Sequence, residues 1–186
     1  MKKPKVIAIA AISGGGKTTV VKELVKRLAN SKTISFDDYD FPNSPQDYYR
    51  WSVEGSDYKQ WDLSPMIPDI EKHINDKKLD YIFLDYPFAY KNEQIGKYID
   101  YAIFIDTPLD IAFARRILRD YLRREPNRPK IQSPIKRLEE ELDYYLERSR
   151  LPYLIHIETV KPSSDIVIDG TLPLDDIVGR IIEECK

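Results

Sequence analysis

The chain has 186 residues, a length that suits one domain with a sizeable core. Hydrophobic residues make up 42% and charged residues 32%, and the formal net charge is -2, so no basic excess indicates nucleic acid or an anionic membrane as a partner. The single Cys185 has no partner for an internal disulfide, which fits a reducing cytoplasm. We therefore expect one cytoplasmic domain over residues 1–186 that binds neither nucleic acid nor membrane. The sequence does not specify an oligomeric state.

Apolar runs predict the strands of the domain. They are apolar throughout rather than alternating, which is typical of strands covered on both faces. In chain order they are Val6–Ile12, Thr33–Phe36, Tyr81–Asp85, Tyr101–Asp106 and Asp165–Asp169, of which the second is the shortest. The first run is too short to span a bilayer and leads straight into glycines, so it is interpreted as a buried strand.

Helical patterns lie between and after these strands. Apolar residues at helical spacing, or a proline in the first helical position, mark five segments. They are Thr18–Ala29, Pro68–Lys77, Pro108–Arg124, Pro134–Ser149 and Leu174–Cys185. Thr107 is predicted to cap the third segment. Because strands and helices alternate, we expect an α/β fold with a five-stranded parallel sheet and helices on both faces.

Two stretches interrupt this alternation. Residues 37–65 are rich in Asp, Tyr, Trp and Pro, and residues 123–133 are polar and interrupted by proline. Long irregular segments in a compact domain are typically binding loops or lids. We interpret the first segment as the substrate side of a site and the second as a short lid. The aromatic residues of the first segment are equally compatible with stacking on a substrate ring and with a packed flap.

A glycine-rich turn between the first strand and the first helix predicts a phosphate-binding loop. The P-loop pattern is Gly, four residues, then Gly-Lys-Ser/Thr, and here Ala11 takes the place of the first glycine. Glycines let backbone N–H groups face phosphate oxygens, and the helix N-terminus adds a partial positive charge. We expect Lys17 to contact the β- and γ-phosphates of ATP and Thr18 to bind Mg²⁺. The predicted ATP-binding residues of the loop are Ser13, Gly14, Gly15, Gly16, Lys17, Thr18 and Thr19.

Three acidic positions near this loop are candidates for catalysis. Asp37 and Asp38 follow the second predicted strand and Asp85 ends the third, so both positions are expected at the carboxyl edge of the sheet. Asp85 stands where a carboxylate reaches Mg²⁺ in phosphoryl transfer. Asp62 lies in the substrate-side segment. Each acid has a structural alternative, because Asp also favours turns and helix caps.

Five arginines fall within the third predicted helix. Spacings of three and four place Arg116, Arg119 and Arg123 on one face of that helix. Such a cluster can bind a transferring phosphoryl group, because guanidinium groups match the geometry of phosphate oxygens. The alternative is a solvated helix face whose arginines pair with acids.

Three motifs of the chain belong together. They are the P-loop run Ser13 to Thr19, the run Ser35-Phe36-Asp37-Asp38-Tyr39, and Ile105-Asp106-Thr107 followed by Arg115-Arg116-Ile117-Leu118-Arg119-Asp120. Together they resemble the uridine kinase family, which includes nicotinamide riboside kinases and is related to phosphoribulokinase. The likeness extends over nearly the whole chain. It implies a P-loop NTPase fold and transfer of the γ-phosphate of ATP to a hydroxyl of a small-molecule acceptor.

The resemblance implies roles for four residues on the acceptor side. Asp37 corresponds to the general base that takes the proton from the acceptor hydroxyl. Asp62, in a Trp-Asp pair, corresponds to a residue that binds ribose hydroxyls. Tyr39, in the same motif as Asp37, and Arg116 complete the predicted acceptor-binding set. Arg116 is also expected to act in catalysis, beside the phosphate.

The resemblance implies further roles on the nucleotide side. Lys17 and Arg119 correspond to catalytic groups that stabilise the charge of the transferring phosphate. Arg119 and Arg124 correspond to nucleotide-binding arginines, the second of them in the lid. Gly170, after the last strand, is expected near the adenine of ATP. Asp85 stands where the family usually has Glu beside Mg²⁺.

The chain departs from the family pattern in the lid and in the substrate region. Pro126 stands where a second lid arginine is expected, although Arg128 is close. Only residues 63–84 separate Asp62 from Asp85. Uridine kinases carry a longer insertion there, with a hairpin that reads the pyrimidine. The resemblance therefore implies the kinase chemistry without implying uridine as the acceptor.

The sequence as a whole predicts an ATP- and Mg²⁺-dependent kinase of a nucleoside-like or other small acceptor, with Asp37 as general base. The alternative is a nucleotide-binding regulatory or NTP-hydrolysing P-loop protein without a small acceptor. Asp37 and Asp62 favour the kinase, since a regulatory switch has no need of an acceptor pocket lined with acids. Outside these motifs, His156 lies between two isoleucines and is interpreted as structural.

Overall fold

The central feature of the fold is a five-stranded sheet in which all neighbouring strands are parallel, in the order β2-β3-β1-β4-β5. The computed structural model describes residues 3–123 and 134–185. The strands are β1 (Lys5–Ala10), β2 (Ser31–Ser35), β3 (Tyr81–Asp85), β4 (Tyr101–Asp106) and β5 (Ile166–Asp169). All carboxyl ends therefore meet at one edge, and β1 lies at the centre of that edge. The predicted α/β class and all five predicted strands are confirmed.

Helices connect the strands. They are α1 (Lys17–Arg27), α2 (Tyr48–Val53), α3 (Ile67–Ile74), α4 (Glu93–Gly96), α5 (Leu109–Ile117), α6 (Pro134–Tyr144), α7 (Arg150–Val160) and α8 (Leu174–Cys185). Two π-helical segments, Leu118–Arg123 and Tyr145–Ser149, extend α5 and join α6 to α7. Helix α7 was not predicted, because its apolar residues lie all round the helix rather than in one stripe and Pro152 interrupts the pattern.

The sheet separates two hydrophobic clusters. Successive residues of β1 point to opposite faces, so Val6, Ala8 and Ala10 belong to one cluster and Ile7 and Ile9 to the other. All five are fully buried. The first cluster includes residues of α2, α3 and α7, and the second includes residues of α1 and α8. Helices thus cover both faces of the sheet, which explains why the strands are apolar throughout.

The segment 37–65 is more ordered than the sequence indicated. It contains α2, the 3₁₀ turn Tyr58–Gln60, and parts of two further 3₁₀ turns, Phe36–Asp38 and Ser64–Met66. The rings of Trp51 and Tyr58 meet edge to face with centroids 5.1 Å apart, and both residues are buried. The expectation of an irregular segment is corrected accordingly, because burial of the aromatic rings orders the short helices.

The predicted lid, residues 123–133, lies outside the described residues except for Arg123, which ends a π-helical segment. The predicted lid residues Arg124, Pro126 and Arg128 lie outside them as well. Of the helices within residues 3–123 and 134–185, none is long and apolar enough to cross a membrane.

Candidate active site

A cavity of about 640 Å³ opens at the carboxyl edge of the sheet, around the loop between β1 and α1. This volume is typical of ligand pockets. Residues that follow β2 and β3 line one side, together with residues of α2 and α7, and we refer to it as the β2–β3 side. Residues of β4, α8 and the loop after β5 line the opposite side, the β4–β5 side. The P-loop lies between the two.

The P-loop has the backbone geometry of a phosphate cradle. Gly14 and Gly16 have φ angles of 82° and 99°, which residues with a Cβ rarely adopt. A Cβ at Gly14 would also lie 2.1 Å from the carbonyl oxygen of Ala112. Gly16 is the N-cap of α1, and no described side chain caps that helix. The N–H groups of its first turn are therefore available to an anion.

Ala11, which replaces the first glycine of the motif, fits without backbone strain. It is 1% exposed, and its φ lies outside the left-handed region. Gly15 makes room for it, since a Cβ on Gly15 would lie 2.8 Å from the Cβ of Ala11. Ser13 and Thr19, at the two ends of the predicted loop, both line the cavity. The departure at Ala11 therefore leaves the loop able to enclose a phosphate.

Thr107 directly follows β4 and stabilises the P-loop through a hydrogen bond. Its buried hydroxyl donates to the carbonyl oxygen of Gly15 at 2.8 Å. Gly170 lies so close that a Cβ there would be 1.9 Å from the Oγ1 of Thr107. The prediction that Thr107 caps α5 is therefore wrong. The N-cap is Pro108, whose side chain has no hydrogen-bonding group, and the Thr107 hydroxyl binds the P-loop instead.

Lys17 and Asp85 meet at the base of the P-loop. Lys17 Nζ lies 3.4 Å from Asp85 Oδ1, and the side chains are 16% and 2% exposed. The charges attract at this distance, but Oδ1 has no donor aligned for a hydrogen bond among the described residues. Such an oxygen suits Mg²⁺, and Thr18 lines the same cavity. Thr18 and Asp85, which are predicted to hold Mg²⁺, therefore offer oxygen ligands of the kind that a hard cation prefers.

Asp37 is the acid of the Asp37–Asp38 pair that lines the cavity. It lies in the 3₁₀ turn directly after β2, so the sheet places it at the same edge as the P-loop. Its side chain is exposed to the open cavity, where a substrate can reach it. Asp38, one residue on, is also exposed but does not contribute to the cavity wall.

Two arginines of the segment after β4 line the cavity, Arg115 and Arg119. Arg119 makes two hydrogen bonds of 2.8 Å to Asp120, which raise the pKa of its guanidinium, and the charge of Asp37 raises that pKa further. Arg115 was not among the predicted site residues. Its Nη1 reaches the carbonyl oxygen of Gly170 at 3.5 Å, on the β4–β5 side.

Arg116 does not line the cavity. Its guanidinium forms an ion pair with Glu141 of α6 and lies 5.4 Å from the ring centroid of Phe113 and 5.9 Å from that of Tyr153. The alternative of arginines paired with acids therefore describes Arg116, and it describes Arg119 in part. The assignment of Arg116 to catalysis and to the acceptor stays a prediction that this arrangement does not favour.

Asp62 and Tyr39 are predicted acceptor ligands that the structure does not bring to the cavity. Asp62 accepts hydrogen bonds from the N–H of Ser64 at 3.1 Å and the amide of Asn43 at 3.2 Å. The Ser64 side chain, then Asn43, then the Ser64 N–H lower the pKa of its carboxyl. The hydroxyl of Tyr39 donates to Asp69 at 2.7 Å. Both side chains thus have structural partners, and their contact with an acceptor stays a prediction.

The β2–β3 side of the cavity is aromatic. Its aromatic residues are Phe36, Tyr48, Trp61, Phe88 and Tyr153. These rings pack against one another. The ring centroids of Trp61 and Phe88, for example, lie 5.0 Å apart. Trp51 and Tyr58 are packed inside, as the flap alternative predicts for segment 37–65. Tyr48 and Trp61 line the cavity, and their stacking on a substrate ring stays a prediction.

His156 of α7 is a further lining residue, and it is only 4% exposed. Its Nδ1 lies 3.4 Å from the hydroxyl of Tyr48, and its Nε2 has no hydrogen-bond partner among the described residues. Burial, with a smaller contribution from the charge of Lys17, lowers the pKa of the imidazole to about 4, although a backbone hydrogen bond to Pro87 raises it, so the ring is neutral at neutral pH. The structural interpretation explains the burial of His156 but not its place in the cavity wall.

Solved structures that resemble this chain in fold include those of a sugar kinase and a gluconokinase. A sugar kinase from Janibacter sp. HTCC2649 matches with a TM-score of 0.54 and 12% identity over 97% of this chain and 93% of that chain. A gluconokinase from Sinorhizobium meliloti 1021 matches with a TM-score of 0.51 and 16% identity over 100% of this chain and 93% of that chain. At these identities the likeness shows the fold alone.

Sequence relatives give the family. A uridine kinase from Borrelia garinii subsp. bavariensis is 30% identical over 88% of this chain and 85% of its own length. A uridine kinase from Ureaplasma parvum serovar 3 is 30% identical over 64% of this chain and 70% of its own length. A model described as the Phosphoribulokinase / Uridine kinase family matches residues 57–156, more than half of the chain. The protein thus belongs to the phosphoribulokinase/uridine kinase family.

Proposed function

We propose that this protein is a kinase that transfers the γ-phosphate of ATP to a hydroxyl of a small-molecule acceptor. The observation that carries the proposal is the meeting of three features in one cavity. The P-loop offers free N–H groups, Lys17 and Arg119 offer positive charge, and Asp37 offers a carboxylate across from them. Phosphoryl transfer to an alcohol needs these three features together.

The β4–β5 side suits the nucleotide. Leu172, Leu174 and Ile177 give this side an apolar wall, and Gly170 keeps the wall clear of side chains next to the P-loop. An adenine ring can pack against such a wall while the phosphates reach the first turn of α1. Arg115 lies where it can meet the phosphates from this side.

Thr18 and the buried carboxylate of Asp85 are the residues that would hold Mg²⁺. The bound ion supplies charge neutralisation to the phosphate oxygens. The Thr18 hydroxyl and the Asp85 carboxylate would hold that charge beside the P-loop, and Asp85 also holds Lys17 there through their ion pair. In this reading Asp85 positions two positive charges at the phosphates.

Asp37 accepts the proton in the proposed step. The acceptor oxygen forms a bond to the γ-phosphorus as the bond from that phosphorus to the bridging oxygen of ADP breaks. The hydroxyl proton passes to the carboxylate of Asp37, and ADP leaves. Lys17 and Arg119 stabilise the charge on the transferring group. Arg119 is suited to this role because its guanidinium lines the cavity and is charged at every physiological pH.

Replacing the proposed base gives the first prediction. Asp37→Asn should lower acceptor-dependent turnover by roughly 10²-fold or more, the range of general-base catalysis, with ATP binding nearly unchanged. Asp38→Asn is the matched control, because Asp38 is exposed, adjacent and outside the cavity wall. The measurement is Mg·ATP-dependent ADP release with uridine, cytidine, nicotinamide riboside, pantothenate, ribose and gluconate as acceptors.

The outcomes of this screen separate the kinase from the regulatory alternative. Stimulation by an acceptor that is lost in Asp37→Asn and kept in Asp38→Asn supports the proposal. Near-normal turnover in Asp37→Asn removes Asp37 as the base. Release of ADP at a rate that no acceptor changes favours an NTP-hydrolysing protein instead.

A further inference from the structure

Helix α6 and the π-helical segment after it pack on α5 through one face. Glu141 forms its ion pair with Arg116, and the ring of Tyr145 stacks on that of Phe113 with centroids 3.7 Å apart. The apolar residues on the other side of α6 are directed to solvent instead.

These solvent-exposed apolar residues form a stripe. Ile135, Leu142 and Leu146 are 78%, 40% and 73% exposed. Residues seven and four apart lie on one face of a helix, so the three side chains form a row rather than scattered contacts with water. Single exposed apolar residues are ordinary on a protein surface, whereas a row of them along one helix face marks an interaction surface. We refer to these three residues as the α6 stripe.

A row of charged residues accompanies the α6 stripe. Lys136, Asp143 and Glu147 follow the three stripe residues by one position each and repeat their spacing, so they flank the stripe along one side. All three are exposed. The row is therefore basic where α6 begins and acidic around the point where α6 passes into the π-helical segment.

This order of charges selects a second copy of the same chain as the partner. When two identical helices pair antiparallel about a two-fold axis, the same flank of each helix meets the other, and the start of one helix lies beside the end of the other. Lys136 of each copy then lies beside Asp143 and Glu147 of the second copy. A parallel pair would place each charge level with its own counterpart and would lack this attraction.

We propose that the α6 stripe is a self-association surface at which two copies of this chain pair antiparallel. Ile135, Leu142 and Leu146 of both copies form the apolar centre, and Lys136 pairs with the acidic residues of the second copy. A contact between two helices lies at the low end of interface sizes, so we expect a dimer with a Kd of about 1–100 µM that dissociates on dilution. The stripe lies outside the cavity wall, so the inference does not depend on the proposed kinase function.

Removing part of the apolar centre is the first test. Sedimentation velocity of the full chain, at concentrations from about 1 to 300 µM, measures the Kd of the dimer. Leu142→Ser should raise this Kd about tenfold, because apolar surface is lost from both copies. The circular dichroism spectrum should stay unchanged, since Leu142 is exposed in the single chain. Val53→Ser is the matched control, because Val53 is a 49% exposed apolar residue of α2.

Exchanging charges tests the antiparallel order. Lys136→Glu and Asp143→Lys should each raise the Kd about tenfold, because each substitution places like charges across the pair. An equimolar mixture of the two variants should restore the dimer, since each variant supplies the charge that the other lacks. A chain that carries both substitutions should associate like the wild type. Lys22→Glu makes the same charge change at an exposed position of α1 and should leave the Kd unchanged.

Each result bears on the proposal. A wild-type chain that stays monomeric over the whole concentration range overturns it. A dimer whose Kd is unchanged by Leu142→Ser and Lys136→Glu overturns it as well, because the association then uses another surface. Charge variants that do not associate when mixed overturn the antiparallel pairing. A dimer that the α6 substitutions weaken and the mixture restores supports it, and these measurements need no acceptor, so they stand whether or not the kinase function does.

Discussion

At the scale of single residues, Thr107 shows how a neighbouring strand fixes the P-loop. Its hydroxyl is buried and makes a 2.8 Å hydrogen bond to the carbonyl oxygen of Gly15. Thr107→Val keeps the shape and leaves that carbonyl without its partner, which should cost about 1–3 kcal/mol. We expect the KM for ATP to rise several-fold and the melting temperature to fall, as measured by steady-state kinetics and calorimetry. Thr107→Ser, which keeps the hydroxyl, should remain close to wild type, and equal kinetics in both variants would contradict this role.

The residues of the site that the sequence predicted are those whose role follows from local chain geometry. Gly14, Gly16 and Lys17 belong to a contiguous motif in which spacing alone sets the backbone turn. Asp37 could be predicted because it directly follows a strand. Arg115 and His156 could not be assigned, because their place in the cavity wall depends on which face of α5 and α7 meets the sheet.

At the scale of elements, a polar network joins α6 to α5 and to the π-helical segment that follows α5. Glu141 of α6 pairs with Arg116 and accepts a 2.7 Å hydrogen bond from the hydroxyl of Tyr121. The Arg116 and Glu141 side chains are only 15% and 14% exposed, so the pair is little screened by solvent. The network therefore holds α6 against the segment that contains Arg116 and Tyr121.

Neutralising Glu141 tests this network. Glu141→Gln should lower the free energy of unfolding by about 2 kcal/mol, because a largely buried guanidinium loses its charged partner. The measurement is urea denaturation followed by circular dichroism. Glu54→Gln is the matched control, since the Arg50–Glu54 pair is 73% and 59% exposed and should contribute little. Equal decreases in the free energy of unfolding in the two variants would show that the network stabilises the protein no more than an exposed ion pair does.

The elements themselves could be predicted where one physical rule dominates. Strands covered on both faces need apolar residues at every position, so β1, β3 and β4 were visible in the sequence. The short helices of segment 37–65 could not be predicted from the sequence, because they are stabilised by aromatic rings that pack in the hydrophobic cluster on one face of the sheet. Helix α7 was not predicted because its apolar residues lie all round the helix, although only Pro152, His156 and Val160 are buried.

At the scale of the whole molecule, the buried His156 makes stability depend on pH. Its pKa is about 4 in the folded state, against 6.5 for the free side chain, so the unfolded chain binds more protons between these values. The free energy of unfolding should therefore fall as the pH is lowered from 6.5 towards 4, by about 3 kcal/mol for the full shift. Lys17, Tyr48 and the backbone of Pro87 are the polar neighbours that act on this ring.

His156→Phe isolates this contribution, because it removes the titrating group and keeps an aromatic ring. Between pH 7 and pH 4.5, the free energy of unfolding measured by urea denaturation should fall less in the variant than in the wild type. The same loss in both proteins would mean that other groups cause the dependence in this range.

The central claim is that the γ-phosphate passes to an alcohol of a small molecule and not to water. The most direct measurement is mass spectrometry of the products formed from Mg·ATP and the stimulating acceptor in water enriched in ¹⁸O. The account predicts a phosphorylated acceptor without ¹⁸O in amounts that match the ADP formed, and little product in Asp37→Asn. Inorganic phosphate carrying ¹⁸O in amounts that match the ADP, with no phosphorylated acceptor, would contradict it.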